Sequence, residues 1–160
     1  GNPEIRFRLI RERRPLSLLI RRRTNCAVSH GEIADADGWW IGAQPAGGVM
    51  RRAPGYIAPS FELRVAIPAS EAAAQAFYDF AAAQIGKPYD WRAILRLALG
   101  IAAARHDWRD PAQWFCFELV MAAMERAGLI ALPPELPIVA VTGNELIVAA
   151  AAGAHRFTRS

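Results

Sequence analysis

Cys116 and His30 are two residues whose side chains suggest chemistry when they are considered together. A cysteine acts as a nucleophile when a nearby imidazole accepts its proton or stabilises its thiolate. A third polar group usually orients that imidazole through the second ring nitrogen. Separation along the chain is no objection, since such partners meet in the folded protein. The pair is compatible with thiol-based acyl chemistry, but a buried cysteine on an apolar helix is more often a matter of plain packing.

Short motifs surround both residues and follow a particular order along the chain. The histidine stands in the segment SHGEI, a Gly-Lys-Pro-Tyr-Asp segment begins at Gly86, and the cysteine stands in WFCFELV. This set resembles the NlpC-type papain-like cysteine hydrolases. The histidine precedes the cysteine, which is the order of the circularly permuted branch that includes the relatives of lecithin–retinol acyltransferase. The resemblance extends from about Leu16 to Gly128.

The resemblance implies roles for three residues and a class of reaction. Cys116 is the implied nucleophile, His30 the implied base, and Tyr89 a residue near the nucleophile that helps to bind an oxyanion. The implied enzyme is a peptidase or amidase that hydrolyses an amide bond through an acyl-enzyme, without a metal or another cofactor. Its substrate is expected to be a cell-wall peptide or another small peptide-like or acyl molecule.

Two other functions remain open. One is a thioesterase or acyltransferase that acts on lipid, as in the acyltransferase branch of the family. The other is a binding or structural module that keeps the papain-like fold without turnover. Two departures from the family pattern favour the non-catalytic module: Phe117 stands where the family usually has serine, and Gly42 has no side chain.

The third member of the site has several candidates. In the family it lies on the strand after the histidine strand, at the position that Gly42 occupies here. We rank the polar substitutes in the order Gln44, Glu62 and Glu32. If the intervening hairpin turns symmetrically about Asp37, Gln44 lies opposite His30 and on its face of the sheet. With a strict two-residue loop it points to the other face, because a one-residue slip reverses every side chain.

Sequence periodicity predicts strands in the first half of the chain and helices in the second half. The expected strands are Ile5–Ile10, Leu16–Ile20, His30–Ala34, Trp39–Ile41, Val49–Arg52 and Phe61–Ile67, with an Asp-Gly hairpin turn in the middle. The expected helices run from the N-cap Ser70 to Gly86, over Trp91–Ala104, from about residue 110 to Ala127, and over Thr142–Ala152. This order predicts one α+β domain over residues 1–160, and the resemblance makes it a permuted papain-like fold. In that fold an antiparallel sheet or small barrel from the N-terminal half packs on the C-terminal helices.

The start of the third helix decides how strongly the helix dipole acts on the cysteine. With Asp110 as the N-cap, Cys116 lies in the second turn, where the helix dipole stabilises its thiolate only slightly. If the helix proper begins near Trp114, a thiolate lies close to the positive end, where it is favoured. The family requires the second arrangement, so we expect it.

The composition restricts the class of protein. The chain has 160 residues, of which 53% are hydrophobic and 21% charged, so it is not intrinsically disordered. Two cysteines do not make a disulfide scaffold. The apolar stretch Leu97–Ala104 is too short for a membrane span, and none is expected.

The positive charge is concentrated near the N-terminus. The net charge is +4, and eight arginines lie before residue 24. Such a segment suits contact with nucleic acid, anionic lipid or an anionic wall polymer. No nucleic-acid motif accompanies it, so a solvated sheet face is the simpler interpretation and no specific nucleic-acid partner is expected. No apolar signal segment is present, which leaves the cytoplasm or the cell envelope as the expected location.

Overall fold

A six-stranded antiparallel sheet forms the body of the protein in the computed structural model, which describes residues 3–99, 112–131, 143–153 and 156–159. The strands are β1 (Glu4–Arg11), β2 (His30–Ala34), β3 (Trp40–Gln44), β4 (Gly48–Arg52), β5 (Phe61–Pro68) and β6 (Arg156–Arg159). The helices are α1 (Pro15–Thr24), α2 (Glu71–Ala83), α3 (Trp91–Leu99), α4 (Cys116–Arg126) and α5 (Gly143–Gly153). The spatial order of the strands is β4-β3-β2-β1-β5-β6, so the α+β class that the sequence predicts is confirmed.

Alternation along β1 produces one apolar and one polar face of the sheet. Ile5, Phe7 and Leu9 are fully buried in the core. Arg8 points to the opposite face, because successive residues of a strand alternate between faces. β1 lies between β2 and β5, and its register sets Arg8 opposite Glu32 of β2. The charged residues of the central strands therefore meet on one face.

The prediction of a strand over Leu16–Ile20 is wrong, since this segment belongs to α1. Pro15 stands at the first turn, where its fixed φ suits a helix and its missing N–H leaves no bond unmade. Ser17 and Ile20 are buried at helical spacing, and arginines in the last turn suit the negative end of the helix. A short apolar run does not distinguish a strand from a helix, which is why the sequence pattern misled.

The order of strands first and helices afterwards is also incorrect in two places. α1 lies between β1 and β2, and β6 pairs with β5 after the last helix. Four of the expected strands correspond to β1, β2, β4 and β5, and the strand expected at Trp39–Ile41 is longer, reaching Gln44. The expected end of the second helix at Ala104 and the start of the last at Thr142 lie outside the described residues.

Helix α4 is almost entirely buried and packs against α2 and β2. It begins at Cys116, with Phe115 as an N-cap in the extended conformation. Trp114 precedes it and forms an isolated parallel bridge with Tyr89. The cysteine therefore lies at the start of its helix, as expected, while Asp110 falls outside the described residues. Among the helices within residues 3–99, 112–131, 143–153 and 156–159, none has the length and hydropathy that a membrane span requires.

The hairpin between β2 and β3 sets the register of the polar face. Ile33 pairs with Ile41, so the connection is symmetrical about Asp37. Continued along the two strands, this register places Gln44 opposite His30 and on the same face. The alternative of a strict two-residue loop does not apply.

Gly48 at the start of β4 provides a test of how closely the sheet approaches the segment before α3. Its φ is +72°, and an added Cβ would lie 2.2 Å from the carbonyl oxygen of Lys87. Gly55 has a φ of +77° but no atom within 4 Å of such a Cβ. We expect Gly48→Ala to lower the free energy of unfolding by about 3 kcal/mol or more, and Gly55→Ala by only about 1 kcal/mol, because the second change meets strain without a clash.

Chemical denaturation of both variants measures this difference. Equal losses of stability would contradict the close backbone approach at Gly48.

Candidate active site

Cys116 is the first residue of α4, so its thiol lies at the positive end of the helix dipole. The residue is buried, and its Sγ lies 3.8 Å from the carbonyl oxygen of Ser29, the residue immediately before the histidine. The start of a helix favours the negative charge of a thiolate. Helix α4 thus presents the cysteine to the first residue of β2.

His30 is buried at that first position of β2 and shares a cavity wall with Cys116. Its Nε2 lies 3.3 Å from Oε1 of Glu32 and 3.5 Å from Nε2 of Gln44. Because Nε2 is engaged in this way, Nδ1 is the ring nitrogen left for the thiol. The structure therefore brings together the predicted nucleophile, the predicted base and two of the three candidate third residues.

The surroundings of His30 favour its protonated form. Burial alone lowers the pKa of this imidazole, but hydrogen bonds with Cys116 and Glu32 and the negative charges of both groups outweigh burial and raise the pKa to about 10. For Glu32, burial raises the pKa, while the hydrogen bond with His30 and the positive charges of His30 and Arg8 lower it to about 2. The site therefore holds an imidazolium between a sulfur and a carboxylate.

Glu32 reaches the imidazole from the same strand, two residues further on. An added Cβ on Gly42 would lie only 2.9 Å from Cγ of Glu32. The side chain of Glu32 therefore fills the space that a side chain at position 42 would enter. The glycine, which favours a non-catalytic module on sequence grounds, instead makes room for a carboxylate from the neighbouring strand.

Arg8 holds Glu32 on the side away from the histidine. Its Nη2 and Nε lie 2.6 and 2.8 Å from Oε2 of Glu32, and its Nη1 lies 3.0 Å from Oε1 of Glu62. The guanidinium also lies over the ring of Trp40, 4.0 Å from the centroid. Both charge-assisted contacts with Glu32 go to one oxygen, so the other oxygen faces the imidazole.

Gln44 and Tyr56 complete the chain of contacts around the carboxylate. Nε2 of Gln44 donates to the Tyr56 hydroxyl at 2.5 Å, and that hydroxyl donates to Oε1 of Glu32. Glu62 forms ion pairs with Arg8 and Arg64, so it is linked to the histidine through Arg8 and Glu32. Of the three candidates, Glu32 is therefore the nearest to the imidazole, although the sequence ranks it last.

Two members of this network, Arg8 and Tyr56, are not identified by the sequence analysis. Arg8 occupies a polar position of an alternating strand, where exposure to solvent is the ordinary expectation. A signal exists in retrospect, because Arg8, Glu32 and Glu62 stand at polar positions of three predicted strands and carry opposite charges. Tyr56 lies in an irregular segment between β4 and β5, and no pattern distinguishes it.

A cavity of about 50 Å³ lies where α1, β2 and α4 meet, and Cys116 and His30 form part of its wall. Leu16 and Ile20 of α1 give it an apolar side, and Tyr89 lines it from the segment before α3. Burial, together with the negative charges of Cys116 and Glu118, raises the pKa of Tyr89 well above its ordinary value. The phenol therefore remains a neutral hydrogen-bond donor at the position where an oxyanion residue is expected.

Phe117, which stands where the family that the sequence resembles usually has serine, belongs to the core. Its side chain is fully buried and meets Phe115 edge to face, with the ring centroids 5.5 Å apart. An added Cβ on Gly31 of β2 would also contact its ring. The departure from the family pattern therefore fills core space between α4 and the sheet.

Neither the site nor the rest of the described chain offers a metal centre. Across residues 3–99, 112–131, 143–153 and 156–159, no group of three or more His, Cys, Asp and Glu side chains is arranged to hold a metal ion. The aspartates of the hairpin, Asp35 and Asp37, both pair with Arg51.

A second buried carboxylate, Glu118, lies in the first turn of α4. Its Oε2 accepts a hydrogen bond from the backbone N–H of Phe115 at 3.4 Å. Burial and the neighbouring charge of Asp90 raise the pKa of Glu118 to about 8. The first turn of the helix that carries the cysteine therefore contains a buried carboxyl group whose protonated form is favoured.

Comparison with known proteins gives little further guidance. No protein-family model matches the chain, and no curated protein matches it. Among solved structures, it is similar to the crystal structure of the metalloprotein yiiX from Escherichia coli O157:H7, with 18% identity and a TM-score of 0.47. That likeness covers 99% of this chain and 96% of the other, and it is too distant to assign an activity.

The buried Glu118 predicts an unusual dependence of stability on pH. Its pKa in the folded protein lies above the ordinary value of 4.5, so the folded state binds this proton more strongly than the unfolded state does. Its contribution to stability is therefore present below about pH 4.5 and is lost as the pH rises towards 8. We expect Glu118→Gln to unfold like wild type at pH 4.5 and to be more stable by about 1–3 kcal/mol at pH 9.

Thermal unfolding at the two pH values measures the effect, with the exposed Glu71→Gln as the matched control. A variant that is less stable than wild type at pH 9 would show that Glu118 is ionised and stabilising.

Proposed function

We propose that this protein is a cysteine hydrolase that cleaves an amide bond in a small peptide-like substrate through an acyl-enzyme. One observation carries the proposal: His30 and Cys116, which begins a helix, line the same small cavity, and a carboxylate lies 3.3 Å from Nε2 of the imidazole. Side-chain triads of this kind activate a nucleophile on unrelated folds. A merely structural cysteine does not need a protonated imidazole beside it.

In the acylation half of the reaction, Cys116 as thiolate attacks the substrate carbonyl carbon and forms a C–S bond. The carbonyl electrons move to oxygen, and the oxyanion is met by the backbone N–H of Cys116, which has no intrahelical acceptor in the first turn. The phenol of Tyr89 is a second donor from the cavity wall. The imidazolium of His30 then gives its proton to the leaving amine as the C–N bond breaks, which leaves a thioester.

In the deacylation half, the imidazole is neutral and acts as a base. It takes a proton from water, whose oxygen attacks the thioester carbon, and the C–S bond breaks. The carboxylic acid leaves, and the sulfur and the imidazole return to a thiolate and an imidazolium. No proton or electron is required from outside the cycle.

Glu32 is the third member of the proposed triad. It is the carboxylate nearest to Nε2 of His30, and its low pKa keeps it charged throughout the physiological range. A carboxylate stabilises an imidazolium more strongly than an amide does. Gln44 then acts as a polar neighbour of the ring, linked to Glu32 through Tyr56.

The proposed fold is the permuted papain-like arrangement. It is supported by the histidine strand preceding the cysteine helix and by the antiparallel sheet against which that helix packs. The substrate class, a cell-wall peptide or a similar small amide, is supported by the family resemblance and by the narrow cavity. A lipid thioesterase or acyltransferase is a second candidate, because the cavity has an apolar side formed by Leu16 and Ile20.

Alkylation of Cys116 tests the nucleophile without knowledge of the substrate. We expect iodoacetamide to modify Cys116 faster at pH 7 than Cys26, the second buried thiol, because Cys116 lies beside the imidazole of His30 at a helix start. Mass spectrometry of the digested protein measures both rates. Cys116→Ala is expected to remain folded and to lose all hydrolysis of fluorogenic aminoacyl amides and thioesters.

Two results would contradict the nucleophile assignment. One is an equal alkylation rate at the two cysteines in the folded protein. The other is hydrolysis by Cys116→Ala at the wild-type rate.

The third residue is tested by the pH dependence of the same alkylation in a Cys26→Ser background. Removal of the carboxylate in Glu32→Gln lowers the pKa of His30, so the proposed ion pair between Cys116 and His30 is lost at a lower pH. We expect the alkylation rate at pH 7 to fall roughly tenfold in Glu32→Gln and by less than about threefold in Gln44→Ala. Glu62→Gln is the matched control, because Glu62 contacts Arg8 and belongs to the same network.

A larger loss in Gln44→Ala than in Glu32→Gln, with both variants folded, would assign the orienting role to Gln44 instead.

A further inference from the structure

Helix α3 carries an apolar stripe that the fold leaves exposed. Trp91, Leu95 and Leu99 follow one another at intervals of four residues, and their exposed fractions are 56, 60 and 61%. Ile94, which borders this stripe, is buried. An amphipathic helix ordinarily turns its apolar side chains towards the core, so an outward stripe of this size indicates an interaction surface.

Arginines border this stripe on α3 and on the neighbouring helix. Arg92 is exposed beside Trp91 on α3. α1 packs against α3, and on α1 the exposed Leu18 is followed one turn later by the exposed Arg22. Exposed leucines and arginines thus occur together on two helices that touch.

The same two helices border the candidate active site. The ring of Trp91 meets the ring of Tyr89 edge to face, with the centroids 5.4 Å apart, and Tyr89 lines the cavity. From the other side, Leu16 and Ile20 of α1 line it. The Trp91 end of the stripe therefore lies close to the cavity that contains Cys116.

We propose that this surface docks on an anionic lipid bilayer. It is defined by Leu18 and Arg22 of α1 together with Trp91, Arg92, Leu95 and Leu99 of α3, and is called the α1/α3 surface. Its apolar side chains enter the boundary between headgroups and acyl chains, and its guanidinium groups meet lipid phosphates. A protein partner would also bury the stripe, but the bordering arginines match a continuous layer of negative charge better.

The proposal does not depend on catalysis by Cys116. Peripheral binding of this kind needs no membrane-spanning helix, since an amphipathic helix lies in the plane of the interface. A tryptophan at the end of the stripe suits that depth, because its ring is apolar and its N–H is polar.

Cosedimentation with vesicles tests the proposal. Wild type is expected to bind vesicles of phosphatidylcholine with phosphatidylglycerol, to bind vesicles of phosphatidylcholine alone at least tenfold more weakly, and to dissociate as salt is raised. Leu95→Ser with Leu99→Ser is expected to weaken binding at least tenfold. Arg22→Gln with Arg92→Gln is expected to weaken binding to the anionic vesicles roughly fivefold per arginine and to leave binding to neutral vesicles unchanged.

The chain offers matched controls elsewhere on its surface. Val148→Ser removes an apolar side chain of α5 that is 70% exposed, and Arg6→Gln removes an exposed arginine of β1. Both controls are expected to bind like wild type, and circular dichroism checks that every variant is folded.

Three results would overturn the proposal. They are no binding of wild type to the anionic vesicles, equal losses in the control variants, or a dimer in sedimentation velocity that Leu95→Ser with Leu99→Ser abolishes while vesicle binding persists. The third result would assign the surface to a second copy of the chain.

Discussion

The buried ion pair between Arg8 and Glu32 is the interaction on which the rest of the site depends. Both side chains are almost completely shielded from water, so each charge needs the other to offset the loss of hydration. Removal of one partner from such a pair commonly costs about 3–5 kcal/mol, because the other charge remains buried. The fold therefore requires the two strands to keep their register, and with it the position of the carboxylate beside His30.

Several separate features of the structure hold the carboxylate of Glu32 in place. Gly42 leaves room for its side chain, the Tyr56 hydroxyl donates to it, and Arg8 occupies the oxygen that faces away from the imidazole. The histidine then lies between this fixed negative charge and the sulfur of Cys116 at a helix start. Interactions with Glu32 and Cys116 both favour the imidazolium, which explains why its pKa rises although burial opposes the charge.

Much of this arrangement can be predicted from the sequence, because strand alternation and helix caps are local signals. The central strands and the Asp-Gly hairpin follow from such signals, whereas the position of Cys116 at a helix start is expected from the family resemblance alone. The helical state of Leu16–Ile20 does not, since a short apolar run fits either type of element. The pairing of β6 with β5 depends on a contact distant in sequence, which no local pattern contains.

The identity of the residue beside the imidazole illustrates the limit of sequence analysis more sharply. A glycine at the position that the family resemblance assigns to the third residue suggests that a polar group is missing, and Gln44 is the nearest substitute along the strand. The sequence does not show that the glycine accommodates a side chain from the adjacent strand, because the two residues meet only in the folded sheet. Only the packing of Glu32 against Gly42 reveals it.

The central claim is that His30 is held as an imidazolium between Cys116 and Glu32. Nuclear magnetic resonance of protein labelled at the imidazole carbons and nitrogens measures the protonation of each of the three histidines directly, with His30→Gln used to assign the signal. The account predicts that the ring of His30 remains protonated through neutral pH and titrates with a midpoint near 10. A midpoint near the ordinary value of 6.5 would contradict it, since the ring would then be neutral at pH 7 and would gain no net stabilisation from its two neighbours.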